Sequence, residues 1–110
     1  MAVKTETRGE LTICYIDGEI DIVRSPEMKK IFDKLTGKKT SKIVIELSKV
    51  TYVDSSGLAT LVGILKNMRS YGGKMRLAAM SPKIKSLFEI TKLDKLFEIM
   101  ASEEEAVAGL

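Results

Sequence analysis

A chain of 110 residues with 45% hydrophobic and 30% charged residues has room for one hydrophobic core, so we predict a single globular domain over residues 1–110. The net charge of +3 is small, and the one aromatic residue among the clustered lysines, Phe32, belongs to the apolar stripe of a predicted helix and is not available for base stacking, so nucleic-acid binding is not indicated. No apolar run is long enough to span a bilayer and the single Cys14 cannot form an internal disulfide, so we expect a cytoplasmic protein without membrane contact.

The sequence also lacks histidine. This absence removes the most common general base near neutral pH, and with it the Ser-His and Cys-His nucleophile pairs. One cysteine and scattered carboxylates show no metal-ligand spacing. We therefore expect no enzymatic activity, no metal and no cofactor.

The first third of the chain predicts a hairpin followed by a helix. Residues 3–7 alternate between apolar or hydroxyl and charged side chains, and the apolar run 11–16 follows a turn at Gly9, which is the pattern of two paired strands. The chain then leaves the second strand through Gly18. Ser25 precedes Pro26 and predicts a capped helix start, and Gly37 is suited to ending that helix in a left-handed conformation.

The central stretch joins a buried strand to an amphipathic helix. Residues 43–47 (Ile-Val-Ile-Glu-Leu) are almost continuously apolar, and apolar residues from Leu58 to Met68 recur at helical spacing. Asp54, Ser55 and Ser56 therefore fall in or beside the first helical turn, where unpaired N–H groups and the helix dipole favour an anion. Because Asp and Ser are preferred caps, a purely structural capping role is the competing interpretation.

The remaining elements complete an alternating pattern. Residues 74–80 predict a strand, Ser81 followed by proline predicts a third helix, residues 96–100 predict a last strand, and Ser102 opens a short terminal helix through a capping box. The order is β-β-α-β-α-β-α-β-α. We predict an α/β fold with a mostly parallel sheet opened by one antiparallel hairpin.

Two segments carry a resemblance to a known family. Residues 52–58 (Tyr-Val-Asp-Ser-Ser-Gly-Leu) resemble the hallmark loop of the bacterial anti-sigma-factor antagonists, which are small phosphorylatable proteins with a single STAS domain. Residues 18–21 (Gly-Glu-Ile-Asp) resemble the Gly-Glu-Leu-Asp motif of the same family, with Ile20 where leucine is usual. The STAS fold has the predicted order of elements, so the resemblance covers nearly the whole chain.

The resemblance implies a regulatory switch without catalysis. It implies that Ser55 is phosphorylated by an anti-sigma factor acting as a serine kinase, and that a phosphatase reverses the modification. The unmodified antagonist would bind the anti-sigma factor and so release a sigma factor for transcription. Ser56 would be a structural serine that bonds to the backbone of the first turn. The expected partner-binding loops and helix face comprise Asp21, Asp54, Ser56, Gly57, Ala59, Val62 and Lys66.

Two other interpretations are open at this point. The first is a STAS module that binds partners or a small ligand without being phosphorylated. The second is a small hydrolase that uses the Asp-Ser-Ser loop, against which the missing histidine and the absence of a G-x-S-x-G elbow both argue.

Overall fold

The computed structural model describes residues 2–110 and has the predicted α/β architecture and order of elements. The five strands are β1 (Ala2–Arg8), β2 (Leu11–Ile20), β3 (Lys42–Val53), β4 (Lys74–Ala78) and β5 (Glu98–Met100). The four helices are α1 (Ser25–Gly37), α2 (Ser55–Ser70), α3 (Pro82–Ile90) and α4 (Glu103–Val107), and a 3-10 helix spans Leu93–Lys95.

The strands form one sheet in the order in which they occur along the chain, β1-β2-β3-β4-β5. β1 pairs antiparallel with β2, across a two-residue turn in which Gly9 has a φ of 61°. The other three neighbouring pairs are parallel. Each parallel connection contains a helix, the usual crossover between parallel strands. The predicted parallel sheet with an opening hairpin is confirmed.

The two faces of the sheet are covered unequally. The main core lies where α1, α2 and α3 pack against one face, and it includes Phe32, Leu61 and Phe88, all fully buried. The opposite face carries a smaller core in which Ala106 of α4 packs over Ile13 and other sheet residues. A five-residue helix covers only part of a sheet face, so this second face is the more open one.

Three local predictions at the first crossover were wrong. β2 does not end at Gly18 but continues to Ile20. Its register against β3 shifts on either side of Gly18, whose φ is 106°. Ser25 does not cap α1, because Arg24 already has helical dihedral angles and places Ser25 inside the first turn. Gly37 is not the left-handed residue at the helix end; that conformation occurs two residues later, at Lys39.

The later elements agree better with the patterns. Ser81 and Ser102 cap α3 and α4 by accepting backbone N–H groups at 3.3 and 3.2 Å, as predicted. β4 ends at Ala78, two residues early, and β5 begins only at Glu98 because the preceding residues turn through the 3-10 helix. Across residues 2–110, no helix has the length and apolar character needed to cross a bilayer.

Candidate functional site

The two motif segments meet at the carboxyl ends of the neighbouring strands β2 and β3. Ile20 and Val53 are paired at the last position of the parallel register, so the loops that follow them start side by side. The backbone N–H of Asp54 donates to the carbonyl of Ile20 at 3.2 Å and joins the two loops directly. This edge of an open α/β sheet is where ligands and partners are usually met.

Asp54 is the N-cap of α2 and also ties the loops together. Its backbone is extended, and its Oδ1 accepts the N–H of Gly57 at 2.9 Å, which satisfies one of the unpaired donors of the first turn. Its Oδ2 accepts the N–H of Ile22 in the loop after β2, at 3.1 Å. Both carboxylate oxygens therefore have partners, and the capping interpretation holds for Asp54.

Gly57 allows the helix to approach the end of β2. A Cβ added at this position would collide with the carbonyl oxygen of Ile20 and come within 2.8 Å of the Ile20 Cγ2. A methyl group in that space would push the first turn of α2 off the sheet edge. The glycine of the motif is thus required by close packing between α2 and β2.

The two serines differ in their surroundings. Ser55 is the first residue of α2 and is exposed, whereas Ser56 is half-buried. Within residues 2–110, neither serine hydroxyl takes part in a hydrogen bond, and the Ser56 carbonyl accepts the hydroxyl of Thr60 at 2.9 Å. The capping role expected of the Ser56 hydroxyl is filled by Asp54, whose carboxylate reaches the N–H of Gly57.

Asp21 organises the loop that faces the serines. Its Oδ1 accepts the N–H groups of Val23 and Arg24 at 3.1 and 3.0 Å, and its Oδ2 pairs with the Arg24 guanidinium. Desolvation by itself would raise the pKa of Asp21, but the backbone hydrogen bond from Arg24 and the charge of its guanidinium outweigh it, so the pKa lies below its ordinary value. Glu19 is a second, longer partner of Arg24, at 3.3 Å.

The α2 residues expected to face a partner lie on one stripe with Ser55. Positions 55, 59, 62 and 66 follow the i, i+4, i+7 spacing of a single helix face. Ala59 and Lys66 are exposed, while Val62 is half-buried and packs against the main core. The stripe is therefore accessible at both ends and partly anchored in its middle.

Sequence reasoning missed an apolar surface beside this stripe. Ile22 and Val23 are 70% and 76% exposed in the loop after β2, and Tyr52 is 45% exposed near the end of β3. Tyr52 pairs with Glu19 in the sheet register, so it lies at the base of the same loop. An isoleucine and a valine between Asp21 and Arg24 fit neither strand nor helix periodicity, and that misfit was the available signal.

The site combines an exposed serine hydroxyl with a carboxylate that is already engaged by the backbone. The Ser55 hydroxyl is exposed, and the carboxylate of the adjacent Asp54 already accepts two backbone N–H groups. Among residues 2–110, no group of His, Cys, Asp and Glu side chains is arranged to hold a metal ion. The arrangement leaves the Ser55 hydroxyl exposed at the N-terminus of α2.

Comparisons with known proteins identify relatives over the whole fold. The STAS domain family matches residues 2–106. An anti-sigma-B factor antagonist of Listeria monocytogenes is 34% identical over 91 residues, which cover 83% of this chain and 80% of that protein. The crystal structure of a candidate anti-sigma factor antagonist from Thermotoga maritima superposes with a TM-score of 0.90 at 30% identity, covering 94% and 90% of the two chains.

The fold is also shared with a solved protein in two modification states. The anti-sigma factor antagonist SpoIIAA in its unphosphorylated form matches with a TM-score of 0.76 at 22% identity, over 99% of this chain and 100% of that one. The phosphorylated form of the Bacillus protein matches with the same TM-score at 21% identity, over 96% of each chain. At this identity the likeness concerns the fold alone.

Proposed function

This chain belongs to the STAS domain family, and from that premise we propose that it is an anti-sigma-factor antagonist controlled by phosphorylation of Ser55. In its unmodified form it binds an anti-sigma factor that is also a serine kinase, and so releases a sigma factor in the cytoplasm. A phosphatase resets the switch, and the antagonist itself catalyses nothing. The observation that carries this proposal is the exposed Ser55 hydroxyl at the start of α2, which makes no hydrogen bond within residues 2–110.

The partner would contact the loop edge and the helix stripe together. Asp21 and Asp54 hold the two loops in one shape, and Gly57 lets α2 lie close to them. Ser56, Ala59, Val62 and Lys66 extend the contact along the helix from Ser55. The exposed Ile22 and Val23 add apolar area of the kind that supplies binding energy when it is desolvated in an interface.

Phosphorylation would block this contact locally. A phosphoserine adds a charge of about −1.5 to −2 and three acceptor oxygens. On Ser55 the phosphate would be favoured by the N-terminus of α2, but it would stand beside the Asp54 carboxylate, which already accepts the N–H of Gly57. Trapping such a charge in an interface without a counter-ion costs a few kcal/mol, and each 1.4 kcal/mol is about tenfold in affinity.

No large refolding is needed for this switch. Both carboxylate oxygens of Asp54 are held by backbone N–H groups, and the packing of Gly57 against Ile20 fixes the first turn of α2. The shared fold of the two SpoIIAA forms is in keeping with a local change. We therefore describe the switch as a steric and electrostatic block at one edge of the sheet.

The test is a phosphorylation assay with radiolabelled ATP and candidate anti-sigma kinases from the same genome, with the modified residue located by mass spectrometry. We expect a label on Ser55 that disappears in Ser55→Ala and remains in the matched control Ser56→Ala. In a binding assay, Ser55→Asp should bind the same kinase at least tenfold more weakly than the unmodified protein. A Ser55→Asp protein that binds equally well contradicts the local block, and no label with any candidate favours a STAS binding module that is not phosphorylated.

A further inference from the structure

The outer edge of β1 is a long strand edge that nothing covers within residues 2–110. Its seven residues are exposed except for Val3, which is half-buried against the main core. The opposite edge of the sheet, β5, has only three residues. An exposed strand edge offers a row of backbone donors and acceptors to another strand, so β1 is the sheet edge best able to accept one.

The hairpin determines which backbone groups point outward. Arg8 and Leu11 are paired across the two-residue turn, so they form the hydrogen-bonded pair that closes the hairpin. Since hydrogen-bonded and non-hydrogen-bonded pairs alternate, Glu6 and Lys4 also bond inward to β2. The N–H and C=O groups of Val3, Thr5 and Thr7 therefore face the open side.

The side chains alternate in the same way. Lys4, Glu6 and Arg8 lie on the sheet face that carries α4, as shown by the contacts of Glu6 with Tyr15 and of Arg8 with Glu103. Val3 lies on the other face, against the main core. β1 thus presents three charged residues of alternating sign on one face and smaller side chains on the other.

This pattern is complementary to itself in an antiparallel arrangement. Consider the β1 strands of two copies paired about a two-fold axis through Thr5. Thr5 then lies opposite its own equivalent, and Val3 lies opposite Thr7 of the other copy. This register pairs every outward backbone group of the strand in about six hydrogen bonds. Lys4 of each copy then lies directly opposite Glu6 of the other. Such opposite-charge pairs across strands are stabilising.

The neighbouring registers are unfavourable. A shift by two residues in one direction places Lys4 opposite Lys4, and a shift in the other direction places Glu6 opposite Glu6. Like charges directly opposite each other are destabilising, and either shift also leaves one of the three outward residues unpaired. Charged side chains on an edge strand usually prevent unwanted pairing with other strands. On β1 the charged side chains instead favour one register of pairing.

We propose that this protein forms a two-fold symmetric dimer through antiparallel pairing of β1 with β1, giving a continuous ten-stranded sheet. In this dimer the parallel strands of one copy run in the opposite direction to those of the other copy. The Ser55 loops therefore lie at opposite ends of the assembly and stay accessible. Dimerisation and the proposed switch are therefore separate properties, and either can fail without the other.

The test is the mass of the full chain by sedimentation equilibrium over about 10 µM to 1 mM, a range that resolves dissociation constants of that order. The monomer mass is 12.2 kDa, and we expect twice that value at the upper concentrations. Lys4→Glu places two glutamate pairs across the interface and should weaken association at least tenfold. Lys85→Glu, the same charge change on the exposed face of α3, should leave it unchanged.

Two further variants test whether β1 is the strand that forms the dimer interface. The Glu6→Lys protein alone should also be a monomer. When it is mixed with the Lys4→Glu protein, lysines again lie opposite glutamates, and native mass spectrometry should show a heterodimer. Thr5→Pro removes an outward N–H that the hairpin does not use, and should give a folded monomer. A protein that is monomeric at every concentration, or a dimer indifferent to Thr5→Pro and Lys4→Glu, overturns the proposal.

Discussion

The carboxylate of Asp54 accepts the backbone N–H of Ile22, a residue 32 positions earlier in the chain, at 3.1 Å. The same carboxylate caps α2 through Gly57 at 2.9 Å. One side chain therefore fixes both the start of the helix and the shape of the loop that faces it. The shape of the proposed partner surface depends on this double contact, because Ile22 and Ser55 belong to different loops.

Substitution of Asp54 should separate these two contacts. Asp54→Ala loses the cap and leaves the Ile22 N–H without its acceptor, which should lower the free energy of unfolding by about 2 kcal/mol. Asp54→Asn keeps a capping oxygen but offers an amide donor toward Ile22, so we expect a loss of about 1 kcal/mol. Urea denaturation measures both values. An unchanged free energy of unfolding in Asp54→Asn would show that the Ile22 contact contributes nothing, and equal losses for the two variants would show that the cap contributes nothing.

Two glycines of α2 should respond in opposite ways to alanine. Gly57→Ala brings a methyl group against the Ile20 carbonyl and side chain and should destabilise the protein by about 3 kcal/mol. Gly63→Ala, for which the structure shows nothing within 4 Å of the added Cβ, should stabilise it by about 0.5 to 1 kcal/mol. Thermal and urea unfolding decide the signs. A neutral Gly57→Ala would mean that the helix can move away from β2 at little cost.

The architecture was predictable because strand and helix periodicities are strong and repeat along the chain. The capping details were less so, since several polar residues compete for each helix end. At α1, Asp21 binds the N–H groups of Val23 and Arg24 and starts a helical turn before Ser25, so that serine is buried inside the helix with its hydroxyl unpaired among residues 2–110. Which side-chain oxygen accepts the free N–H groups at a helix start depends on its position in three dimensions, and the sequence does not show that position.

The candidate site was also predictable only in part. That the loops after β2 and β3 meet follows from parallel pairing, and the contact of Asp54 with Ile20 and Ile22 bears this out. The exposure of Ile22 and Val23 could not be inferred from composition, because apolar residues occur both in cores and on the surfaces of folded proteins. Only the path of the turn, held by Asp21, decides that they point outward.

The pKa of Asp21 gives a prediction for acid stability. Because the pKa is lowered in the folded protein below its ordinary value of 3.8, the contribution of Asp21 to stability is present above about pH 4 and is lost as the pH falls through the folded value. Urea unfolding between about pH 2 and 6 should show a steeper loss for the wild type than for Asp21→Asn. Parallel curves for the two proteins would contradict this, and an NMR titration of the carboxyl locates its midpoint directly.

Burial raises the pKa of the Cys14 thiol to about 12, which predicts behaviour at alkaline pH. In the unfolded chain the thiol ionises near pH 8.5, so stability should fall as the pH rises from there towards 12, by up to about 1.4 kcal/mol per pH unit. Cys14→Ala should lack this part of the slope. At pH 8 the native thiol should react with a thiol reagent only as fast as the protein opens, and rapid native labelling would contradict its burial.

The exposed apolar loop should contribute to partner binding without contributing to stability. Val23→Ser removes apolar area that is already in water in the isolated protein, so the free energy of unfolding should change by less than about 0.5 kcal/mol. Its affinity for the anti-sigma kinase found in the phosphorylation assay should fall about tenfold, as measured by calorimetry. Ile90→Ser is the matched control, because Ile90 is 79% exposed on α3 and belongs to neither loop, and we expect it to bind normally. Equal affinities for the wild type and Val23→Ser would restrict the contact to the α2 stripe, whereas a loss in both variants would extend it beyond the two loops.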